Sequence, residues 1–194
     1  MSSSTRARRR TSALGALAAG VILLTACGGD GDAATGGDFN DADVAFAQMM
    51  IPHHEQALEM AKLADGRASD SEIKEIAAKV EQAQDPEIRT MTGWLKSWKQ
   101  PTAVESMPGM DHGHGGGGDG MMSDEDMTEL DAMKGSGFDK MFAEMMIEHH
   151  EGAIATAQEE LKNGRNADAK EMADDIVTGQ SAEVKQLKSI LERL

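Results

Sequence analysis

The stretch DVAFAQMMIPHHEQAL at residues 43–58 recurs as DKMFAEMMIEHHEGAI at residues 139–154. Ten of the sixteen positions are identical at a constant offset of 96 residues. The same offset relates polar residues further along the chain, namely Gln84 to Gln180 and Glu87 to Glu183. A repeat of this length indicates that one supersecondary unit is present twice. The offset between the two copies changes by two residues near residues 66 and 164, which predicts a turn inside each copy.

Apolar residues within each copy recur at the spacing of a helix. In the first copy they alternate steps of three and four residues, a pattern typical of a helix face packed in a bundle. These positions are Val44, Ala47, Ile51, His54 and Leu58. The residues after each turn repeat the spacing, so each copy is predicted to be a helical hairpin. Two hairpins predict an all-α four-helix bundle with pseudo-two-fold symmetry.

Two prolines fall inside the predicted helices. Pro52 removes one backbone hydrogen bond and predicts a kink that leaves the carbonyl of Gln48 free. Because Glu148 stands at the equivalent position, the helix is expected to continue past the kink. Asp85 and Pro86 are typical of a new helix start, whereas the second copy permits an unbroken helix there.

The N-terminus has the features of an export signal. Four arginines at positions 6–10 precede an apolar run at 13–24, which is shorter than the roughly 20 residues that span a bilayer. The run ends in LTAC, residues 24–27, which resembles the lipobox of bacterial lipoproteins. We therefore expect a lipoprotein signal peptide at 1–26, lipidation of Cys27, and an exported protein held on the outer face of the bacterial cell membrane. The alternative is an ordinary secretory signal in which Cys27 is incidental.

Glycine-rich segments divide the rest of the chain. Ser123, followed by acidic residues, predicts a capped helix start, and Gly135-Ser-Gly137 is expected to separate this short helix from the second hairpin. The predicted order is a flexible tether at 27–38 and one domain at 39–194, comprising a hairpin at 39–99, a linker at 100–123, a short helix at 124–134 and a hairpin at 137–194.

The composition excludes several classes of function. The chain has 19 Lys and Arg against 34 Asp and Glu, and its net charge of −15 argues against a nucleic-acid partner, because phosphates need basic neutralisation. The single Cys rules out an internal disulfide and a Cys-based zinc or iron–sulfur site. The sequence has neither a nucleophile elbow nor a phosphate-binding loop, so we predict that the chain is not an enzyme.

The repeated His-His motifs resemble those of the domain of unknown function 305 family. The resemblance rests on MIPHHEQA at 50–57 and MIEHHEGA at 146–153, preceded by FNDADVAF at 39–46 and GFDKMF at 137–142. It covers about 39–194. It implies a ferritin-like four-helix fold, a secreted or lipid-anchored bacterial protein and a capacity to bind metal, without an assigned reaction.

The paired histidines form the first candidate metal site. They are His53, His54, His149 and His150, and helical geometry places them along the inward face. Met50 and Met146 lie one turn earlier on the same face. Imidazole with thioether suits copper, whereas imidazole with carboxylate suits zinc or iron. The polar residues expected to support these ligands are Glu55, Glu151, Gln84, Gln180, Glu87 and Glu183.

A structural role for the same histidines is the competing interpretation. Buried histidines can form a hydrogen-bond network with Gln and Glu that fixes the register of the hairpins and binds nothing. A di-iron centre is disfavoured, because Glu-x-x-His is absent: Met50 and Met146 stand three residues before His53 and His149.

The linker contains a second candidate metal site. Its residues Met107, Met110, His112 and His114 lie in a glycine-rich segment that is expected to have no core to fill. Clustered thioethers select Cu(I), and His-x-His with an acid can hold Cu(II). The alternative is a solvated spacer in which these residues are incidental.

We therefore predict a lipid-anchored extracytoplasmic protein that binds a transition metal, with copper favoured over zinc and iron. Its expected partners are the metal ion and, through Cys27, the membrane; the sequence identifies no protein partner. The alternative is a non-catalytic structural or interaction module with a buried histidine network. A metal-dependent redox enzyme is a weaker alternative.

Overall fold

A computed structural model gives the fold and describes residues 38–102 and 120–194. These residues form five α-helices and no strand: α1 (Asp41–Leu63), α2 (Ser71–Ser97), α3 (Asp124–Ala132), α4 (Ser136–Asn163) and α5 (Ala167–Leu191). Helices α1 and α2 form the first hairpin, and α4 and α5 form the second. Helix α1 also packs on α4, and α2 packs on α5. The prediction of an all-α bundle of two hairpins is confirmed.

The helix ends follow from local side-chain chemistry. Asn40 caps α1, Asp70 caps α2 and Asn166 caps α5, each through a side-chain oxygen that accepts from backbone N–H groups of the first turn. Ser123 caps α3 in a reciprocal arrangement with Asp126, as predicted.

Helix α1 runs through Pro52, as predicted. Several other boundaries differ from the structure. Helix α2 runs through Pro86, which agrees with the unbroken helix that the second copy permits, so Asp85 and Pro86 do not begin a new helix. Helix α3 ends at Ala132, two residues before the predicted end. Helix α4 begins directly after Gly135, whose φ of 64° favours glycine, and therefore includes Gly137.

Methionines contribute to the bundle core. Met60 and Met91 are fully buried among Ala, Ile and Leu side chains, and Met172 is partly buried. Unbranched thioether side chains fill irregular gaps between helices well. These helix methionines therefore serve packing.

Two equivalent aspartates connect the hairpins. Asp139 of α4 accepts hydrogen bonds from the backbone N–H of Ser69 (2.9 Å) and of Asp70 (3.0 Å), and from the Ser69 hydroxyl. Its counterpart Asp43 in α1 accepts from the backbone N–H of Arg165 (3.0 Å) and Asn166 (2.8 Å). Both aspartates are fully buried. Each copy of the repeat thus holds the turn of the other, which fixes how α1 and α4 face each other.

No helix within the described residues is both long and apolar enough to cross a membrane. The predicted signal peptide at 1–26, the lipidation of Cys27 and most of the tether at 27–38 lie outside the described residues.

Candidate metal centre

All four predicted histidines lie in the interior of the bundle. His54, His149 and His150 are fully buried, and His53 is 4% exposed. They come from the middle of α1 and α4, which pack against each other. The rings of His53 and His149 meet at a centroid distance of 3.8 Å with an interplanar angle of 45°. The structure therefore brings the two copies of the His-His motif together.

Each copy contributes one imidazole–carboxylate pair. Nε2 of His54 lies 2.6 Å from Oε2 of Glu87, and Nε2 of His150 lies 2.8 Å from Oε2 of Glu183. A carboxylate accepts, so Nε2 donates and Nδ1 of the neutral ring carries the lone pair. The two pairs connect α1 to α2 and α4 to α5. Glu87 and Glu183 thus each contact a histidine of the neighbouring helix.

Several imidazole nitrogens at this centre make no hydrogen bond within the described residues. They are Nδ1 of His54, Nδ1 of His150 and at least one ring nitrogen of His149. A buried polar atom without a partner costs about 1–3 kcal/mol. Histidines that bind metal ordinarily donate their other ring N–H to a carboxylate. His54 and His150 have this arrangement: one nitrogen is held by a carboxylate, and the other is available to a ligand.

His149 is held in the neutral state that a metal ligand requires. Burial lowers the pKa of His149 well below its usual 6.5, and the neighbouring His53, His150 and His54 lower it further, in that order. A hydrogen bond to the backbone of His53 raises the pKa and is the smallest of these effects. Near neutral pH the ring therefore keeps its lone pair.

Thioethers lie next to the histidines. Met50 and Met146 are fully buried, three residues before His53 and His149 on the same helices. Within residues 38–102 and 120–194, no group of three or more His, Cys, Asp or Glu side chains is arranged to hold one ion. A site at this centre would therefore need thioethers beside a small number of imidazoles. That donor set suits soft Cu(I) better than zinc or iron.

The other predicted support residues divide into two groups. Gln84 and Gln180 are 2% and 6% exposed, and the Oε1 atom of each is buried without a hydrogen-bond partner. Glu55 and Glu151 are exposed, and Glu151 pairs with Lys188 at 2.8 Å. The prediction that Glu55 and Glu151 support the histidines is wrong, because one further residue along a helix rotates the side chain by about 100° toward solvent.

The linker ligands Met107, Met110, His112 and His114 lie outside the described residues. The C-terminal end of the linker is described and is packed. Met122 is 9% exposed, and its backbone N–H and carbonyl both pair with the Gln56 side chain, at 2.8 and 2.9 Å. The expectation that linker methionines have no core to fill is therefore wrong for Met122.

Gly120 brings the linker onto α4 beside the histidines. Its φ is 73°, and a Cβ atom there would lie 2.6 Å from the carbonyl oxygen of Glu148 and 3.1 Å from that of His149. Only glycine permits so close an approach in this conformation. The linker therefore returns to the bundle at the level of the His-His motif.

Sequence reasoning missed a pair of buried acids. Glu160 at the end of α4 is 2% exposed and lies beside Asp43. Burial raises the pKa of Glu160 to about 8, with further contributions from a hydrogen bond to Asp43 and from its charge, while Lys170 opposes them. The repeat could not reveal Glu160, because Ala64 stands at the equivalent position; the identity of Asp43 and Asp139 was a usable signal.

Comparison with known proteins relates this geometry to a family. The pattern of the family described as a domain of unknown function (DUF305) matches residues 43–191. A DUF305 protein from Streptomyces coelicolor, named as secreted, is 28% identical with a TM-score of 0.70, over 78% of this chain and 93% of that one. A DUF305 fragment from Deinococcus radiodurans is 26% identical with a TM-score of 0.69, over 80% and 98%. Among curated proteins, none matches this chain.

The protein CopM is also similar. Its Cu(II)-bound form is 34% identical to this chain with a TM-score of 0.67, over 78% of this chain and 96% of CopM. CopM has also been solved in a Cu(I)-bound form and in Ag-bound forms, with TM-scores of 0.64 and 0.63.

Proposed function

The chain belongs to the DUF305 family, and from this premise we propose that it binds copper outside the cytoplasm, anchored to the membrane by a lipid on Cys27. Copper is its cargo, bound for handling or resistance, and the protein carries out no catalysis. Similarity to CopM, which was solved with Cu(I), Cu(II) and Ag, supports copper as the metal. Similarity to a protein named as secreted supports the location.

One observation carries the proposal: buried imidazole nitrogens at the bundle centre lack hydrogen-bond partners while carboxylates hold the opposite sides of two of the rings. A purely structural network would use these nitrogens, since leaving each one unpaired destabilises the fold. Ligation of a metal by the lone pairs would satisfy them.

We assign the ligands by their softness. His149 and one of the carboxylate-backed histidines, His54 or His150, would supply imidazole nitrogen, and Met50 and Met146 would supply thioether sulfur; this mixture favours Cu(I). Met107, Met110, His112 and His114 would capture copper in the linker, whose described C-terminal end contacts α4 at Gly120.

The second candidate is a structural or interaction module. It is favoured by the pairs His54–Glu87 and His150–Glu183, each of which ties two helices together without any metal. The two candidates differ in what His149 does, because a hydrogen bond to the His53 backbone can use only one of its two ring nitrogens and the other has no partner within the described residues.

Competition with a coloured Cu(I) chelator tests the proposal on the full chain. His149→Leu removes a lone pair and one hydrogen bond to the His53 backbone, so we expect at least a tenfold loss of Cu(I) affinity with little change in melting temperature. A variant with alanine at Met107, Met110, His112 and His114 measures how much the linker contributes to Cu(I) affinity. An unchanged affinity in His149→Leu, or no Cu(I) binding by the wild-type chain, would favour the structural module.

A further inference from the structure

A cleft on the surface opens between α2 and α5, on the side of the bundle where the two carboxylate partners of the histidines lie. Its volume is about 100 Å³, and its polar lining consists of Gln84, Glu87, Gln180, Glu183 and Asp175. One water occupies about 30 Å³ of liquid, so the cleft can hold about three waters or a partly hydrated ion. We propose that this cleft is the route by which copper passes between solvent and the buried histidines.

The two carboxylates in the cleft reach from solvent to the imidazoles. The side chains of Glu87 and Glu183 are 23% and 20% exposed, whereas those of His54 and His150, which they contact, are 0% exposed. Each carboxylate uses Oε2 for this contact. An ion bound by Glu87 or Glu183 is therefore one side chain away from the centre.

The lining has the chemistry of a temporary binding site. Two carboxylates attract a cation, and the buried Oε1 atoms of Gln84 and Gln180 have no hydrogen-bond partner within the described residues. Oxygen ligands hold a soft ion more weakly than imidazole and thioether do, so the ion is expected to move inward. This exchange transfers no electron.

Small residues keep the mouth of the cleft open. Ala83 and Gly179 occupy equivalent positions in the two copies, and both line the cleft. A Cβ atom added at Gly179 would have nothing within 4 Å, so a larger side chain fits there without displacing its neighbours. Glycine is unfavourable within a helix, and this one leaves space in front of the carboxylates.

The inference rests on the proposed copper function, and rapid-mixing kinetics separates the two. We expect Gly179→Leu to slow Cu(I) uptake by the full chain at least tenfold while its equilibrium affinity stays within twofold of wild type. Gly93→Leu is the matched control, because Gly93 also lies in a helix with nothing within 4 Å but is not part of the cleft. It should take up copper at the wild-type rate. Ala83→Leu narrows the same mouth from α2 and should also slow uptake.

The carboxylates are tested in the same assay. Glu87→Gln with Glu183→Gln should slow uptake and reduce its dependence on salt. Glu75→Gln with Glu171→Gln removes two charges from exposed, equivalent positions of the same helices. This control should leave the uptake rate and its dependence on salt unchanged.

Each remaining outcome decides between the two claims. Wild-type uptake by Gly179→Leu, or equal slowing by Gly93→Leu, would overturn the route and leave the copper site intact. An equal loss of rate and affinity in Gly179→Leu would place the cleft within the site and also overturn the route. Absence of copper binding by the wild-type chain would overturn the proposed function itself.

Discussion

Replacing Glu160 by glutamine should remove a loss of stability that the wild-type chain suffers as pH rises. Glu160 is 2% exposed, and its pKa is raised to about 8 from an ordinary value of 4.5. Between these two values the unfolded chain releases the proton of Glu160, whereas the folded chain retains it. The stabilisation is therefore complete below pH 4.5 and declines until pH 8, above which it changes no further.

The size of the effect follows from the two pKa values. Each pH unit in this window lowers the free energy of unfolding by about 1.4 kcal/mol, which gives an upper limit of about 5 kcal/mol across it. Relaxation around the buried acid reduces this, and we expect about 2–3 kcal/mol. Asp43, whose pKa is lowered, contributes in the opposite direction but only at pH values near or below its ordinary 3.8.

Urea unfolding at pH 5, 6.5 and 8 measures the effect. Glu160→Gln keeps a neutral side chain at every pH, so its free energy of unfolding should fall by about 2–3 kcal/mol less than that of wild type between pH 5 and 8. Glu159→Gln is the control, since the neighbouring Glu159 is exposed and should leave the wild-type pH dependence unchanged. Identical pH dependence in wild type and Glu160→Gln would refute the buried acid pair.

Three further predictions concern the aspartate that connects the hairpins, the metal centre and the anchor. Asp139→Asn weakens a buried acceptor of three hydrogen bonds and should lower the free energy of unfolding by about 2–4 kcal/mol, whereas Asp131→Asn, at an exposed position, should cost less than about 1 kcal/mol. Equal losses would show that Asp139 does not stabilise the contact between the hairpins. Because the pKa of His149 is lowered well below 6.5, protonation of this ring should not weaken Cu(I) binding near pH 6.5. The measurement uses the variant that lacks the four linker ligands. A tenfold loss of its Cu(I) affinity between pH 7.5 and 6 that disappears when His149→Leu is added would contradict this prediction. Cys27→Ser should move the exported protein from the membrane fraction to the soluble one, and retention in the membrane would argue against the lipid.

The architecture could be predicted because the repeat and the helical periodicity carry the same information. A copy that buries Phe46, Met50 and His54 on one face must bury Phe142, Met146 and His150 in the same way. The helix boundaries were predicted less accurately. Proline and glycine destabilise only the adjacent turns of a helix, whereas packing against neighbouring helices stabilises its whole length. Pro86 and Gly137 both lie within continuous helices, where contacts with neighbouring helices offset their poor propensity.

The candidate site was predicted in part. Burial of the four histidines follows from periodicity, but the orientation of Glu55 and Glu151 depends on a single step of the helix, which a wide apolar face does not determine. The partners Glu87 and Glu183 lie 33 residues from their histidines and were placed by the repeat alone. Glu160 has no counterpart in the first copy, and its burial results from the packing of α4 beside Asp43.

X-ray absorption at the copper edge identifies the atoms that bind Cu(I) and so tests whether imidazole and thioether side chains of the bundle are the ligands. The sample is the Cu(I)-loaded chain in which Met107, Met110, His112 and His114 are replaced by alanine, so that copper bound by the linker does not contribute. We expect both sulfur and imidazole neighbours, because the bundle offers Met50 and Met146 beside His149, and we expect the imidazole signal to weaken in His149→Leu. A shell of sulfur alone, or a spectrum unchanged by His149→Leu, would contradict ligation at the bundle centre.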